Sequence, residues 1–451
     1  MHESAQLIGS SEAAPRSQER LHSGWIDGVR IALLAIAFAA PLAFGAVETW
    51  AWTALLVLGL LLIVAWAIDC ARQSTLRFLW SPLYLPGVLF LLYGVVQHRA
   101  NLTAYPAATR DALLSFTSAL IYLFLAGQLI APDPRRNLRR WAGMTAIYGS
   151  LMGFYAIVQF FSSGGLIYWF VQPRWGGWVF GPYVNHNHYA GLMEMLIPVG
   201  AAYALSRPKH HIARVPLGIA MVVPVLSLLL SGSRGGVAAL LVELLILTAL
   251  AIWTARGPRR RSLATTLGLG LISVAVLFFA LAPGEISRRL QQIASLSQSP
   301  DVSLAQRLQV GKDSLQILRA HPLLGTGLGS FIAVDPQFCS FPTDLHWDHA
   351  HNDYAEALAE TGLVGGVLIL WATILGFKLA FGSLRARLAH STGWIQVGAA
   401  IGCCGLLVHG LADFNFHIPA NALWFAICLA AATSPSPASA EPAHRPPALR
   451  E

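Results

Sequence analysis

Charged side chains are scarce in this sequence of 451 residues: aspartate, glutamate, lysine and arginine make up 12% of it, and apolar residues make up 55%. Soluble globular proteins carry about 25% charged residues, so the composition excludes an ordinary soluble domain. Cysteine is also rare, with five residues, and no disulfide framework follows from them. The formal net charge is +8. Its basic residues are spread over loops without interleaved aromatic residues, which indicates contact with anionic lipid and not with nucleic acid.

Long apolar runs are abundant. Each run is long enough to cross a hydrocarbon core of roughly 30 Å as a helix. The sequence therefore predicts an all-α integral membrane protein with about twelve spans. These lie at 29–47, 49–68, 79–97, 112–131, 141–161, 188–206, 213–231, 235–254, 263–283, 362–381, 394–412 and 418–433.

The distribution of basic residues predicts the orientation, because short cytoplasmic loops retain lysine and arginine. Most of the 30 basic residues fall inside if both termini are cytoplasmic. The first 27 residues lack the pattern of a signal peptide, so the first span is expected to be an uncleaved anchor. The predicted organisation is a cytoplasmic tail (1–27), spans 1–9 (28–283), an outer loop (284–361), spans 10–12 (362–433) and a disordered cytoplasmic tail (434–451).

The outer loop ends in a cluster of titratable residues, HWDHAHNDYAEALAE. Asp353 and Glu356 are spaced like a capping box that starts a helix, and both are also candidate substrate contacts. His351 stands just before that helix and is free to carry chemistry. His346 and His349 are interpreted first as hydrogen-bonded structural residues, with His349 a candidate substrate contact. Zinc is disfavoured, because the ligand order differs from that of metallo-hydrolases.

A second polar segment, QPRWGGWVFGPYVNHNHYAG, leads into the sixth span. Its aromatic residues fit an interfacial belt. Its amide and imidazole groups are costly inside a membrane unless they are paired or functional. The candidate substrate-binding residues here are Arg174, Asn185, His186 and His188.

Three further segments lie at outer turns. Arg234 in SGSRGG either snorkels to lipid phosphate or points inward toward a ligand. Asp413 in HGLADFNFHIPAN is a candidate substrate contact, unless it only pairs with an arginine. GTGLGS at 325–330 is interpreted as a turn and not as a nucleotide site, because no strand precedes it.

The outer loop also contains a helical segment. Leu304, Leu308, Leu315 and Leu318 fall at near-helical spacing opposite Arg307, Lys312 and Arg319. The pattern predicts an amphipathic helix on the outer surface.

Taken in order, SGSRGG, Arg307 before HPLLGTGLGSF, and HNDYAEALAETGLVGG resemble the O-antigen ligase and Wzy-type polymerase superfamily. The resemblance implies transfer of glycans from undecaprenyl pyrophosphate at the periplasmic face of the inner membrane, without a nucleotide or a required metal. By position it assigns catalytic roles to His351, Arg234 and Arg307. Arg288, Arg289 and Arg319 are alternatives for the arginine of the loop. Contacts with other polysaccharide assembly proteins are a further expectation.

The chemistry of these side chains suits the implied reaction. Arginine presents a planar, permanently charged fork to pyrophosphate oxygens, and a histidine can take the proton of an acceptor hydroxyl. In-line attack would invert the anomeric centre. The acceptor remains open between a growing polysaccharide, slightly favoured by GPYVNHNHYAGLMEM, and lipid A-core, with protein least favoured. A transporter or flippase is the alternative of another class, because twelve spans suit it equally well.

Overall fold

The computed structural model describes residues 16–74, 78–130, 134–173, 179–207, 214–254, 304–342, 347–382 and 384–435, with 212 and a few separate positions between 257 and 273. Within these ranges the chain is helical and contains no β-strand beyond two isolated bridges. The first nine helices are α1 (Arg16–Ala39), α2 (Thr49–Arg72), α3 (Tyr84–Arg99), α4 (Pro106–Ile130), α5 (Pro134–Ser162), α6 (His186–Ser206), α7 (Arg214–Ala220), α8 (Val222–Leu230) and α9 (Arg234–Thr254). The others are α10 (Leu304–Ala320), α11 (Phe331–Val334), α12 (Asp353–Phe381), α13 (Leu384–Leu388), α14 (Ser391–His409) and α15 (Pro419–Thr433).

Eight of the described helices are long and apolar enough to cross a membrane. They are Gly24–Leu42, Thr49–Arg72, Pro106–Ile130, Arg135–Ser162, His186–Ser206, Arg234–Thr254, Asp353–Phe381 and Ser391–His409. The predicted runs at 79–97, 213–231 and 418–433 correspond to shorter helices, and 263–283 lies almost wholly outside the described residues. An all-α membrane protein is therefore confirmed, while the count of twelve spans stays a prediction.

Two helices, α6 and α14, form the centre of the bundle. Nearly every side chain of α6 is buried, including the aromatic ring of Tyr189. The two helices pack closely because glycines remove side chains at their contact: a Cβ on Gly398 would meet Ala202 and the Pro198 carbonyl. Helices α5, α9 and α15 pack against this pair, and α4 packs on the outer side of α15. Polar groups at the ends of α6 and α14 are thereby brought together.

Helix α12 extends the predicted tenth span by nine residues toward its N-terminus. Gly362 interrupts it with a φ of 60°, a conformation that glycine adopts without steric cost. The preceding loop packs over this point, and a Cβ at position 362 would clash with the Leu323 carbonyl oxygen. Residues 353–356 of the titratable cluster therefore lie on the helical segment that leads, across the kink at Gly362, into a membrane span.

GTGLGS forms the turn that the sequence predicts. Gly325, Gly327 and Gly329 all have positive φ. The Glu360 carboxylate accepts hydrogen bonds from the backbone N–H groups of Gly329 (2.8 Å) and Phe331 (2.9 Å). The turn thus attaches the outer loop to α12.

Helix α10 confirms that the loop contains a helix. Val310 and Ile317 are buried against the loop, while Leu308 and Leu315 on the predicted apolar face are exposed. None of the described residues covers these two leucines. Lys312 and Arg319 are exposed beside them, so the exposed side of α10 is mixed, and the predicted separation of an apolar face from a basic face is not seen.

Candidate active site

The short connection between α14 and α15 forms the centre of a polar site at one end of the bundle. Helices α6, α9 and α12 begin at this end, and α14 ends there. Several contacts hold the connection in place. The Asp353 backbone N–H donates to the Gly410 carbonyl (2.9 Å), and the Asn352 side chain donates to the Leu411 carbonyl (3.0 Å). Gly410 allows the close approach, because a Cβ there would lie 2.9 Å from Asp353 Oδ2.

Asp413, at the centre of this connection, is fully buried and surrounded by three imidazoles. Its Oδ1 lies 3.4 Å from His351 Nδ1 and 3.8 Å from His188 Nε2, and its Oδ2 lies 4.0 Å from His409 Nε2. Burial acts to raise the pKa of the Asp413 carboxyl, but the three histidines outweigh it and hold that pKa below its usual range. Among the described residues Asp413 is therefore a carboxylate that pairs with histidines, and none of the described arginines pairs with it.

His351 adopts the left-handed region, with a φ of 49°. A non-glycine residue there costs free energy, and such residues cluster at functional sites. The ring lies edge-on against Phe414 (4.9 Å between centroids) and Trp347 (5.7 Å). These contacts fix the ring with its Nδ1 toward Asp413.

A second cluster lies beside the first on α12. Glu356 is buried, and its Oε1 lies 2.7 Å from His349 Nδ1 and 3.3 Å from His417 Nε2. Its Oε2 accepts from the Ala350 N–H (2.7 Å). On its other side, His417 Nδ1 lies 3.1 Å from Asp353 Oδ1. Burial opposes a charge on His417, but the carboxylates of Glu356 and Asp353 outweigh it and raise its pKa to about 10.

The same arrangement corrects the capping interpretation. The N-cap of α12 is Asn352, whose side chain accepts from Tyr354 N (3.1 Å) and Ala355 N (3.0 Å). Asp353 and Glu356 instead bind the two histidines of the second cluster. The capping-box prediction was wrong because the neighbouring asparagine satisfies the free N–H groups.

The ligand atoms of His349, Glu356 and His417 lie within 4.8 Å of one another, close enough to meet a divalent cation. Two histidines and a carboxylate are a common donor set for transition metals. In the structure, however, His349 Nδ1 and Glu356 Oε1 lie at the hydrogen-bond distance of 2.7 Å, and His417 faces a carboxylate on both sides. We therefore describe the three as a hydrogen-bonded cluster and do not assign them as metal ligands.

The two candidate arginines border the Asp413 cluster. Arg307 on α10 donates to the Ala412 carbonyl (3.3 Å), next to Asp413. Arg234 is exposed at the first position of α9. The next residue, Gly235, packs on His409, where a Cβ would lie 2.7 Å from Nε2. Among the described residues neither arginine forms an ion pair, so both keep their charge available for an anion.

The start of α6 supplies another part of the site. Asn185 caps the helix by accepting from Asn187 N (2.8 Å), so its side chain has a structural role. His186 is buried in the first turn. His188 lies edge-on against Phe414 (4.7 Å), and its carbonyl accepts from Asn421 Nδ2 (2.9 Å). Arg174 and His346 lie outside the described residues, so their proposed roles stay predictions.

Sequence reasoning missed two groups, the pair formed by Glu194 and His409 and the single Glu243, and it gave no role to His417 of the HGLADFNFHIPAN segment. Glu194 Oε1 lies 2.7 Å from His409 Nδ1, with both side chains buried. A glutamate within an apolar span is a signal in itself, because an ionisable group in a membrane is costly unless it is paired or functional. The sequence shows Glu194 and Glu243 in such runs.

The fold and this site define a multi-span helical membrane protein with a cluster of histidines and carboxylates at one end of the bundle. Residues 219–370 match the family model Wzy_C, described as O-antigen ligase, which supports a relationship to the O-antigen ligase superfamily. This range contains Arg234, Arg307 and His351, and the match confirms the resemblance drawn from the sequence. No curated protein matches the chain.

Proposed function

We propose that the protein is a glycosyltransferase that moves a glycan from undecaprenyl pyrophosphate to a sugar hydroxyl at the periplasmic face of the bacterial inner membrane. One observation carries the proposal: His351, paired with the buried Asp413, lies in the same site as two arginines without acidic partners among the described residues. The O-antigen ligase domain supports the substrate class.

The arginines suit the donor. A lipid-linked pyrophosphate is a dianionic leaving group, and Arg307 and Arg234 stabilise the charge that grows on it as the glycosidic bond breaks. Arg307 is held against the Ala412 carbonyl, while Arg234 is exposed at the start of α9. The exposed Leu308 and Leu315 on α10 offer a surface for the polyprenyl chain.

His351 suits the acceptor. Because Nδ1 faces Asp413, Nε2 is the atom that takes the proton from the acceptor hydroxyl. The acceptor oxygen then bonds to the anomeric carbon, and the electron pair of the broken bond leaves with the pyrophosphate. Asp413 orients the ring and stabilises the imidazolium that forms, as the aspartate of a serine protease triad does for its histidine. Attack from the side opposite the leaving group inverts the anomeric centre.

The sugar hydroxyl belongs either to a growing polysaccharide or to lipid A-core, with protein the least favoured acceptor. His188, His349, Asp353 and Glu356 remain proposed substrate contacts at the edge of the site. Both termini are proposed to be cytoplasmic, which puts the His351 end of the bundle outside.

A transporter is the competing class. Buried Glu194 and Glu243 are the kind of intramembrane groups that a transporter uses. Beyond Glu243, however, α9 continues with the largely apolar sequence LLILTALAIWT. Toward the other end of α14, Gln396 is engaged locally, because its amide donates to the Ser434 carbonyl (2.9 Å). A polar path that ends in mid-bundle among the described residues favours an enzyme.

The experiment that tests the function uses purified protein, EDTA, and an undecaprenyl-pyrophosphate-linked repeat unit extracted from the cells that make the protein. Wild type and His351→Ala are compared with and without lipid A-core. A ladder of longer lipid-linked glycans without added acceptor, absent in the variant, establishes a polymerase. Product only with lipid A-core establishes a ligase. Activity that survives His351→Ala overturns the catalytic role of His351, and activity lost on adding EDTA overturns metal independence.

A matched pair of variants tests whether Arg307 or Arg319, the other described arginine of the loop, binds the donor. Arg307→Lys keeps the charge but loses the planar fork, so we expect the KM for the donor to rise about tenfold. Arg319→Lys makes the same change on the same helix, at an exposed position that makes no contact with the Asp413 connection among the described residues. A larger effect at Arg319 would transfer the donor role to that residue.

A further inference from the structure

Beneath Asp413, two buried side chains from different helices form a hydrogen bond inside the bundle. Glu194 lies in the third turn of α6, and His409 is the last residue of α14. Glu194 Oε1 and His409 Nδ1 are 2.7 Å apart, and neither side chain is more than 1% exposed. Two buried ionisable groups within membrane spans need a reason, because each is costly to bury.

Glycines shape the space around this pair. A Cβ on Gly235 of α9 would lie 2.7 Å from His409 Nε2, and one on Gly236 would lie 3.2 Å from Glu194 Oε1. On α14, Gly402 lets the backbone of α6 approach at Glu194. Three helices therefore enclose the hydrogen bond, and the imidazole of His409 has little room to turn.

The orientation of His409 is directed at Asp413. With Nδ1 on Glu194, the other nitrogen, Nε2, lies 4.0 Å from Asp413 Oδ2. Asp413 Oδ1 accepts from the Phe414 N–H (2.9 Å), whereas Oδ2 is buried without a hydrogen-bond partner among the described residues. His409, held by Glu194, thus makes an ion-pair contact with Oδ2 when both of its ring nitrogens carry protons.

We propose that Glu194 and His409 are positioning residues for the transferase reaction: Glu194 accepts from His409 Nδ1–H and fixes the angle of the ring, and the second proton of the imidazolium, on Nε2, faces the Asp413 carboxylate and holds it against His351. This inference rests on the proposed function, because it assumes that His351 is the base. Neither Glu194 nor His409 touches the substrate. Their effect reaches the reaction through Asp413, as outer groups that orient a catalytic residue do elsewhere.

Glu243 provides a matched control within the same three helices. It is a buried glutamate on α9, and its carboxylate packs on Gly405 of α14, one turn before His409. Both of its oxygens lack a hydrogen-bond partner among the described residues. Truncating Glu243 removes the same atoms as truncating Glu194 but leaves the hydrogen bond to His409 intact.

The test measures kcat and KM for the undecaprenyl-pyrophosphate-linked repeat unit, with monodisperse protein in detergent. Glu194→Ala is expected to lower kcat by about 10- to 100-fold, less than the ~10²–10⁴ of losing a general base, with KM unchanged. Glu194→Gln keeps an oxygen for His409 Nδ1–H and should restore kcat to within a few-fold. Glu243→Ala should leave kcat unchanged. An equal loss in Glu194→Ala and Glu243→Ala would overturn the proposal.

A double-mutant cycle separates positioning from a merely structural role. If Glu194 acts through Asp413, Glu194→Ala should cause no further loss in an Asp413→Asn background, because residues in one network are not additive. A full additional loss in that background would overturn the proposal. Failure of the positioning proposal can be told apart from failure of the proposed function. Activity in His351→Ala would refute the role of His351 as the base. An inactive His351→Ala together with a fully active Glu194→Ala would refute only the role of Glu194 and His409.

Discussion

Two clusters of histidine and carboxylate lie side by side in this protein and differ in how tightly they are held. In the first, Asp413 is surrounded by imidazoles at 3.4–4.0 Å. In the second, Glu356 forms a 2.7 Å hydrogen bond with His349, and His417 bridges it to Asp353. The second cluster has its protons committed to internal hydrogen bonds. The first keeps its imidazoles near a charge without saturating them, which leaves His351 able to exchange a proton with a substrate.

The difference follows from the segments of the chain that carry the two carboxylates. Glu356 belongs to the first turn of α12 and reaches back to its own N-terminal loop, so its partners are local in sequence apart from His417. Asp413 comes from the connection between α14 and α15, and its three histidines come from α6, α14 and the loop before α12. A site assembled from four segments depends on tertiary packing, and packing inside a bundle can hold groups apart that would otherwise bond.

The largest effect on activity is expected from breaking the first cluster at its centre. Asp413→Asn keeps the size of the side chain but removes the charge that stabilises the His351 imidazolium. We expect kcat to fall by about 10²–10⁴, measured as product formed from the lipid-linked repeat unit. Asp348→Asn, at an exposed aspartate of the loop before α12, is the matched control. Activity of Asp413→Asn near that of the control would contradict the pairing.

Breaking the second cluster should cost stability. Glu356→Gln leaves the His417 charge with one carboxylate partner and keeps only one of the two oxygens, so either His349 or the Ala350 N–H loses its acceptor. Breaking a fully buried ion pair costs about 3–5 kcal/mol, and we expect about 2–3 kcal/mol here because the two histidines are 28% and 29% exposed. Thermal unfolding of the detergent-solubilised protein measures the loss. A Tm equal to that of Asp348→Asn would mean that the cluster is not held by its hydrogen bonds.

The second cluster should also make stability depend on pH. The pKa of His417 is raised from 6.5 to about 10 by Glu356 and Asp353, against the effect of burial. A group whose pKa is raised on folding stabilises the folded state fully at pH values below its unfolded-state pKa. This stabilisation is lost as the pH rises through its folded-state pKa. Stability should therefore decline from about pH 6.5 to pH 10. His417→Asn should flatten the profile in that window, and an unchanged slope would show that His417 is not charged.

The sequence predicted the class of fold because composition and run length decide membrane insertion, with no tertiary information required. It also singled out His351 and Asp413 as candidates, because polar residues at the ends of apolar runs stand out, and their roles stay predictions. The partnership between them was not predictable. Residues 351 and 413 are distant in sequence. The packing of α14 on α6 and the hydrogen bond from the Asp353 N–H to the Gly410 carbonyl bring Asp413 next to the histidines.

The local errors have different causes. The capping-box pattern failed because Asn352, an equally good cap, stands one position earlier. His417 was passed over because its role depends on two carboxylates from α12 that meet it only in the folded chain. Glu194 and Glu243 were visible in the sequence, and the cost of burying an ionisable group should have directed attention to them.

The smallest effect is expected at Asn352, which stands between His351 and Asp353 and so links the two clusters. Its side chain caps α12 and donates to the Leu411 carbonyl (3.0 Å), fixing the connection that carries Asp413. Asn352→Ala should destabilise the protein by about 1 kcal/mol, the usual cost of losing an N-cap, seen as a small fall in Tm. Asn352→Ser keeps a capping oxygen but lacks the amide that reaches Leu411. Recovery of Tm with a reduced kcat in Asn352→Ser would show that the capping oxygen stabilises the helix and that the amide positions the site. Full recovery of both Tm and kcat would show that Asn352 acts only as the cap of α12.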